Sequence, residues 1–286
     1  MALSEVELIK SEISPEGCSV DALPDLLAVF GGLISSTQEV ASGSNPKSCR
    51  DAYVQWLREK HPKISSKVLM PENYDDWNDF NTYSDLLLFE SDLGYVTSAI
   101  VIFLEAPGSI AELGAFSQIE SLKDRLVIVV TEDRHPIKSF ISLGPLRQLE
   151  AQDPESVCVI PATNATEFLN DIDVVNSAIF NKMAKNKTKR AFSPTERQHQ
   201  FTLAAELISF VEVVTFTDVK KVFEYFQVNV NEHRIQQILF TLEKSNLIQK
   251  RRYGGIDYYG PHSRGIRYID FNGKSTDKKF NRVRLQ

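Results

Sequence analysis

Val96-Thr97-Ser98-Ala99-Ile100-Val101-Ile102-Phe103-Leu104-Glu105-Ala106-Pro107-Gly108-Ser109-Ile110-Ala111-Glu112-Leu113-Gly114-Ala115 holds a strand, a turn and the start of a helix in one passage of chain. Residues 96–104 carry no charge and are rich in β-branched side chains, the pattern of a parallel strand covered on both faces. Pro107-Gly108-Ser109 then lets the backbone turn sharply. Beyond it Ile110, Leu113, Phe116 and Ile119 recur at helical spacing, which predicts a helix over 110–122.

The same grammar recurs on either side. Leu26-Leu27-Ala28-Val29-Phe30 is an apolar run closed by Gly31-Gly32, and residues 48–59 follow with one apolar helical stripe. Residues 126–130 form another uncharged run, and Met70-Pro71-Glu72 follows a further strand. Strand, tight turn and helix in repetition predict an α/β fold with a doubly wound parallel sheet. Ligands of such sheets sit where strands end and helices begin.

That rule directs attention to the turn after residue 104. Gly108 and Ser109 open a helix whose first N–H groups and positive dipole end suit phosphate or hydroxyl oxygens. Glu112 stands one turn in, placed to reach a sugar in the crevice and to attack its anomeric carbon with loss of a base. A structural reading competes: Ser109-x-x-Glu112 is also the spacing of a capping box. Gly31 and Gly32 either cradle the ligand or only permit a turn; they lack the three-glycine dinucleotide fingerprint. In Gly144-Pro145-Leu146-Arg147 the arginine either holds a phosphate or lies on the surface, and Glu72 would rim the pocket. Tyr74 and Trp77 would stack on a base or pack in the core.

Composition narrows the setting. With 42% hydrophobic and 24% charged residues the 286-residue chain reads as two globular domains rather than a disordered one. No apolar run reaches the roughly 18 residues of a membrane span, and the first residues lack the features of a secretion signal, so the cytosol is the expected compartment. Cys18, Cys49 and Cys158 are odd in number and widely spaced, which predicts free thiols and neither a disulfide framework nor a metal site. From Arg197 onward 15 Lys/Arg face 9 Asp/Glu, a net of +6, so the first 196 residues carry −12 of the total of −6. The polar, basic stretch 183–194 reads as a linker, which divides the chain into domains at 1–190 and 191–286.

In the second domain, helices are predicted over 201–211, 217–226 with Thr217 as N-cap, and 231–245. Strands 247–253 and 256–260 flank Gly254-Gly255 as a hairpin. Three helices followed by a basic hairpin resemble a winged helix. The resemblance implies that the third helix faces nucleic acid through Asn231, His233, Arg234, Gln236 and Gln237. The wing would add Lys250, Arg251 and Arg252 with Tyr253, Tyr258 and Tyr259. The winged helix also serves as a protein-docking module. Residues 263–286, with Arg264, Arg267, Lys274, Lys278, Lys279, Arg282 and Arg284, extend the positive charge.

Pro107-Gly108-Ser109-x-x-Glu112-Leu113-Gly114-Ala115 resembles the nucleophile motif of nucleoside 2-deoxyribosyltransferases. Phe30-Gly31-Gly32, Met70-Pro71-Glu72, Glu90, residues 107–117 and Ser139-Phe140-Ile141-Ser142-Leu143-Gly144-Pro145-Leu146-Arg147 together resemble the deoxyribosyltransferase-like effectors encoded with bacterial retrons, which are antiphage toxins. The likeness spans residues 26–150. It implies an N-glycosidase with Glu112 as the carboxylate that forms a covalent glycosyl intermediate and Glu90 as the acid assisting the departing base. The substrate would be a nucleotide or NAD, with no separate cofactor. A retron reverse transcriptase and its multicopy single-stranded DNA would be the restraining partners, and self-association is expected by analogy. One departure stands out: the transferases hold an aspartate two residues before the motif glycine, where this chain has Ala106 with Glu105 beside it.

Two classes of function follow. One is a toxin-like glycosidase of a retron antiphage system. The other is a non-catalytic regulator whose α/β domain senses a nucleotide and whose winged helix binds DNA. Release of free base, lost in Glu112→Gln, separates them.

Overall fold

The structure, a computed structural model, describes residues 5–21, 25–135, 138–263 and 266–274. The chain forms two compact units, one from Pro24–Tyr74 with Thr97–Lys187, the other from Met1–Leu23, Asp75–Val96 and Thr188–Gln286. One crossing, at 187–188, falls beside the linker read at residue 190. The segments before residue 24 and over 75–96 belong with the C-terminal part, so the units are discontinuous rather than the two consecutive blocks expected.

The first unit is an α/β layer structure. Its strands are β1 (Leu27–Phe30), β2 (Val68–Leu69), β3 (Ala99–Phe103), β4 (Leu126–Thr131) and β5 (Val157–Ile160). They form one sheet in the order β2-β1-β3-β4-β5, and every neighbouring pair is parallel. Each residue of β1, β3 and β4 is buried, because helices cover both faces of the sheet. On one face Val29, Val101, Phe103 and Val129 pack with Tyr53 and Leu57 of α1 (Cys49–Lys60) and with Val175 and Ile179 of the helix Ile172–Lys185. On the other, Phe116 of α2 (Pro107–Phe116) meets Phe30 edge-on, with ring centroids 5.3 Å apart.

Strand order now fixes where a ligand fits. β1 leads to β2 on one side, whereas β3 leads through β4 to β5 on the other. The connections leaving β1 and β3 therefore diverge at the carboxyl end of the sheet, the kind of switch point at which open α/β sheets bind their ligands.

Several sequence expectations shift at their ends. Residues 96–98 precede β3, Val96 being the last residue of the helix Leu86–Val96. The helix expected over 110–122 begins at Pro107, ends at Phe116 and resumes as the short turn Glu120–Lys123. Met183–Lys185 of the supposed linker complete the helix Ile172–Lys185, and Arg190–Ala191 pairs with the strand Ile13–Val20.

In the second unit α3 (Arg197–Val211), β6 (Val214–Thr215), α4 (Phe216–Tyr225), α5 (Glu232–Lys244), β7 (Ile248–Tyr253) and β8 (Ile256–Pro261) follow in that order. The strands form an antiparallel sheet ordered β6-β8-β7. Gly254 and Gly255 have φ of +57° and +82°, the left-handed backbone that a two-residue hairpin turn needs. The cap of α4 is Thr215 and not Thr217: the Thr215 hydroxyl accepts from the Asp218 N–H while the Asp218 carboxylate accepts from the Thr215 N–H at 2.9 Å.

Cys18, Cys49 and Cys158 are free thiols, the first two buried. Among the described residues no helix is long and apolar enough to cross a membrane. Arg264, Lys278, Lys279, Arg282 and Arg284 lie outside the described residues.

Candidate functional site

The chain leaves β3 through Glu105 and enters α2 at Pro107, a residue preset for the first helical turn. Ser109 is buried, and its hydroxyl accepts from the N–H groups of Glu105 and Ala106 at 3.2 Å and donates to the Ala106 carbonyl at 2.8 Å. It therefore closes the helix start by itself. The capping box between Ser109 and Glu112 does not form, and Glu112 is released from any duty at its own helix end.

Glu112 uses that freedom in an unusual way. Its Oε2 is buried and has no hydrogen-bond partner. Burial pushes the carboxyl up to about 7, with the nearby Arg50 pulling it down and Glu72 pushing it further up. A carboxyl pushed up by burial at the carboxyl end of a parallel sheet is a candidate for chemistry.

Arg50 comes from the first turn of α1, where Ser48 caps the helix by accepting from the Asp51 N–H. Its side chain is only 6% exposed. Nη2 donates to the Val29 carbonyl at 2.8 Å and meets Glu72 Oε1 at 2.5 Å, and Nη1 donates to the Gly32 carbonyl at 3.3 Å. Nε, also buried, has no partner. Thr131 Oγ1, at the end of β4, is a third buried polar atom left unpaired. Native interiors leave few such atoms unmatched, and Glu112 Oε2, Arg50 Nε and Thr131 Oγ1 are three of them in the α/β unit.

Glu105 has a different task. Its Oε1 accepts from the N–H groups of Arg50 at 3.0 Å and Gly32 at 3.4 Å, and its Oε2 accepts from the Cys49 N–H at 2.5 Å. The carboxylate thus ties the β1 turn to the start of α1. The Cys49 thiol, buried and beside this anion, is pushed up to about 12. Arg134, after β4, donates to the Glu105 carbonyl at 2.7 Å.

The two glycines after β1 serve this close packing. Gly31 has φ +148°, and a Cβ on it would stand 2.8 Å from Phe103 Cβ. On Gly32 a Cβ would stand 2.8 Å from Ser48 Cβ. Both permit β1, β3 and α1 to converge, and the Gly32 N–H is spent on Glu105. A Cβ on Gly108 or Gly114 would meet open space.

The structure therefore gathers Glu112, Glu72, Gly31 and Gly32 at one end of the sheet and adds Arg50, which the sequence reading missed. The signal was present: Arg50, Val54 and Leu57 share one buried stripe of α1, and an arginine on an apolar stripe needs internal partners. Arg147 is not gathered in. It is exposed at the start of the helix Arg147–Gln152, and among the described residues no hydrogen bond or ion pair holds it. Glu90 is buried in the helix Leu86–Val96, which belongs to the second unit.

In the second unit two expectations need correction. Arg234 and Gln237 do not present themselves to nucleic acid. The Arg234 guanidinium grips the buried Asp92 carboxylate with both ends, Nη2 to Oδ1 at 2.9 Å, and Gln237 donates to the Thr82 carbonyl at 3.0 Å. Tyr83 donates to Asp92 at 2.7 Å and contacts Thr241 at 2.6 Å. These contacts turn that face of α5 into a polar core. The hairpin differs: Lys250, Arg251 and Arg252 are all exposed, with Lys250 bridging to Asp257 at 2.9 Å, and Tyr253 is 82% exposed. A cleft of about 500 Å³ lies between Gln236 and Phe240 of α5 and Lys250, Arg252 and Asp257 of the hairpin.

Comparison with known proteins places these features in a family. The sequence model of the STM3845 retron effector protein matches residues 46–250. A protein of Escherichia coli retron Ec86, named for a proposed ribosyltransferase and DNA-binding role, is 33% identical over 109 residues, 37% of this chain and 36% of that one. Its counterpart from Escherichia coli retron Ec73, named alike, is 38% identical over 79 residues, 27% of this chain and 25% of that one. The alignments thus span about a third of the length of the first relative and a quarter of the second.

Proposed function

The chain belongs to the STM3845 retron effector protein family, and on that premise we propose that its α/β unit breaks the N-glycosidic bond of a nucleotide or of NAD, with Glu112 as nucleophile. The observation that carries this reading is the Glu112 carboxyl at the carboxyl end of the sheet, one of its oxygens buried without a hydrogen-bond partner, with burial pushing it up to about 7. The names of the two retron relatives, which point to ribosyl transfer, support the same reaction class.

In the proposed reaction the ionised carboxylate attacks the anomeric carbon as the bond from that carbon to the base nitrogen breaks, and the electron pair leaves with the base. Water then attacks the same carbon, giving one proton to the departed base or to solvent, as the bond from that carbon to Glu112 breaks and Glu112 departs as a carboxylate. Within the α/β unit, Glu72 is already paired to Arg50. That favours a base that leaves without protonation. Nicotinamide is one, because its ring nitrogen already carries the positive charge that the electron pair cancels. The leaving-group role expected of Glu90 is a separate proposal, and base release undiminished in Glu90→Gln removes it.

For the second unit we propose a winged helix that contacts nucleic acid through its hairpin. The order of α3, β6, α4, α5, β7 and β8 and the exposed Arg251 and Tyr253 support it. A reverse transcriptase bound to multicopy single-stranded DNA would then restrain the enzyme.

Purified protein incubated with NAD and, separately, with deoxynucleotides, followed by mass spectrometry of the products, tests the catalytic reading. Free base from the wild type and none from Glu112→Gln is the expected result. Equal release by both proteins removes Glu112 from the mechanism, and no release from any substrate, with or without the partner complex, removes the activity.

A further inference from the structure

The hairpin of the second unit has two faces. Arg251 and Tyr253, which carry the contacts proposed above, share one of them. Register sets the other: Asp257 stands opposite Arg252 and Tyr259 opposite Lys250, so these four side chains lie together. They line the cleft of about 500 Å³ with Phe240 and Glu243 of α5, and the second unit forms that cleft by itself. Its volume is of the order that holds a small ligand.

Exposure orders the lining by depth. Tyr259 is buried, Phe240, Glu243 and Asp257 are half-buried, and Lys250 and Arg252 are exposed. Two aromatic rings and two carboxylates thus lie within a cationic rim. Asp257 is only half served: Oδ2 takes Lys250 Nζ at 2.9 Å, while Oδ1 is buried without a hydrogen-bond partner and has Arg252 Nε 3.9 Å away. A carboxylate oxygen accepts hydrogen bonds and donates none, so whatever completes it must bring an N–H or O–H.

On the reading of the hairpin as a nucleic-acid contact, we propose that this cleft takes one unstacked base of a single strand, and that the base carries an exocyclic amino group. The ring stacks on the aromatic lining, the amino group donates to Asp257 and Glu243, and the flanking phosphates meet Lys250 and Arg252. Those two cations stand two residues apart on β7, roughly 7 Å, so they reach successive phosphates of a strand rather than the single one of a free mononucleotide. Uracil and thymine present a carbonyl where cytosine has its amino group, and a carbonyl facing a carboxylate is repelled. In a duplex the amino groups are already paired and the rings stacked, so the cleft passes duplex over.

Fluorescence anisotropy of the full chain with labelled twelve-nucleotide strands of deoxycytidine and of deoxyuridine, at pH 7.5 and fixed salt, tests this. The deoxycytidine strand is expected to bind about tenfold more tightly. Asp257→Asn combined with Glu243→Gln keeps the shape of the lining and should erase that ratio or turn it towards uracil, with the melting temperature showing the protein folded. Lys250→Ala should weaken both strands alike and lower the salt slope by about 0.7. Equal affinity of the wild type for the two strands, or a ratio that survives the double change, overturns the cleft assignment, and the hairpin reading still stands where Tyr253→Ala weakens both strands. Binding of neither strand removes the hairpin reading and the cleft with it.

Discussion

The crevice of the α/β unit and the polar core of the second unit use the same chemical groups to opposite ends. In the second unit a guanidinium and a carboxylate, Arg234 and Asp92, meet end to end, and Tyr83, Gln237 and Thr241 complete the contacts around them. In the crevice a guanidinium and a carboxylate, Arg50 and Glu112, lie within electrostatic reach of each other, yet Nε of one and Oε2 of the other are buried without partners. A matched buried network rigidifies a fold, whereas an unmatched one stores free energy that a bound ligand can release. On the proposed function the contrast separates residues kept for structure from residues kept for chemistry, and each member of it can be tested.

The largest effect is expected at Glu112. Glu112→Gln should cut base release by about a thousandfold or more, since it removes the nucleophile. The same change should leave the melting temperature equal or higher, because it removes a carboxyl with one oxygen buried and unpaired. A large fall in melting temperature with activity intact would move Glu112 to the structural side of the contrast.

Acidity gives the next effect. The anion is the reactive form, so base release should fall about tenfold for each pH unit below about 7 and level off above it. Stability runs the other way. The folded state holds the Glu112 proton more tightly than the unfolded chain does, so this residue opposes folding increasingly as pH rises from the ordinary glutamate range to about 7. Chemical denaturation at pH 5 and pH 8 should show that dependence weakened in Glu112→Gln.

Asp92→Ala should cost about 3–5 kcal/mol in urea unfolding, because it strands a buried Arg234. Pairing Asp92→Leu with Arg234→Met should cost clearly less than the two singly. If Arg234→Met instead weakened nucleic-acid binding without loss of stability, α5 would regain the contact role that its burial denies.

On the hairpin the changes should be smaller and sensitive to salt. Tyr253→Ala should weaken binding of single-stranded DNA by about tenfold through lost stacking. Arg251→Ala should lower the salt dependence by about one unit. Both should leave stability within about 0.5 kcal/mol of wild type. Smallest of all, Arg147→Ala should change turnover less than about twofold, as befits an exposed residue without partners; a tenfold rise in KM would restore it as a phosphate holder.

The sheet was legible because parallel strands buried on both faces must read as short uncharged runs, as residues 26–30, 99–103 and 126–130 do. The helix that carries Glu112 was legible for a related reason: a proline, a glycine and a serine ahead of an apolar helical stripe mark where the chain turns. Other features depend on partners far away in sequence. Asp92 reveals nothing of Arg234, 142 residues later, and so the helix Leu86–Val96 gave no sign that it belongs with the C-terminal part. The cap of α4 went to Thr215 because only there does an acid, Asp218, stand three residues on to return the hydrogen bond; three residues after Thr217 stands Lys220, which cannot.

Glu105 also limits what the crevice can hold. The opening turn of α1 is the kind of place where other α/β proteins seat a phosphate, yet here the chain supplies its own resident anion, bound to the N–H groups of Cys49, Arg50 and Gly32. That berth is taken by the chain itself, so an anionic group of any ligand must find its grip elsewhere than at the start of α1.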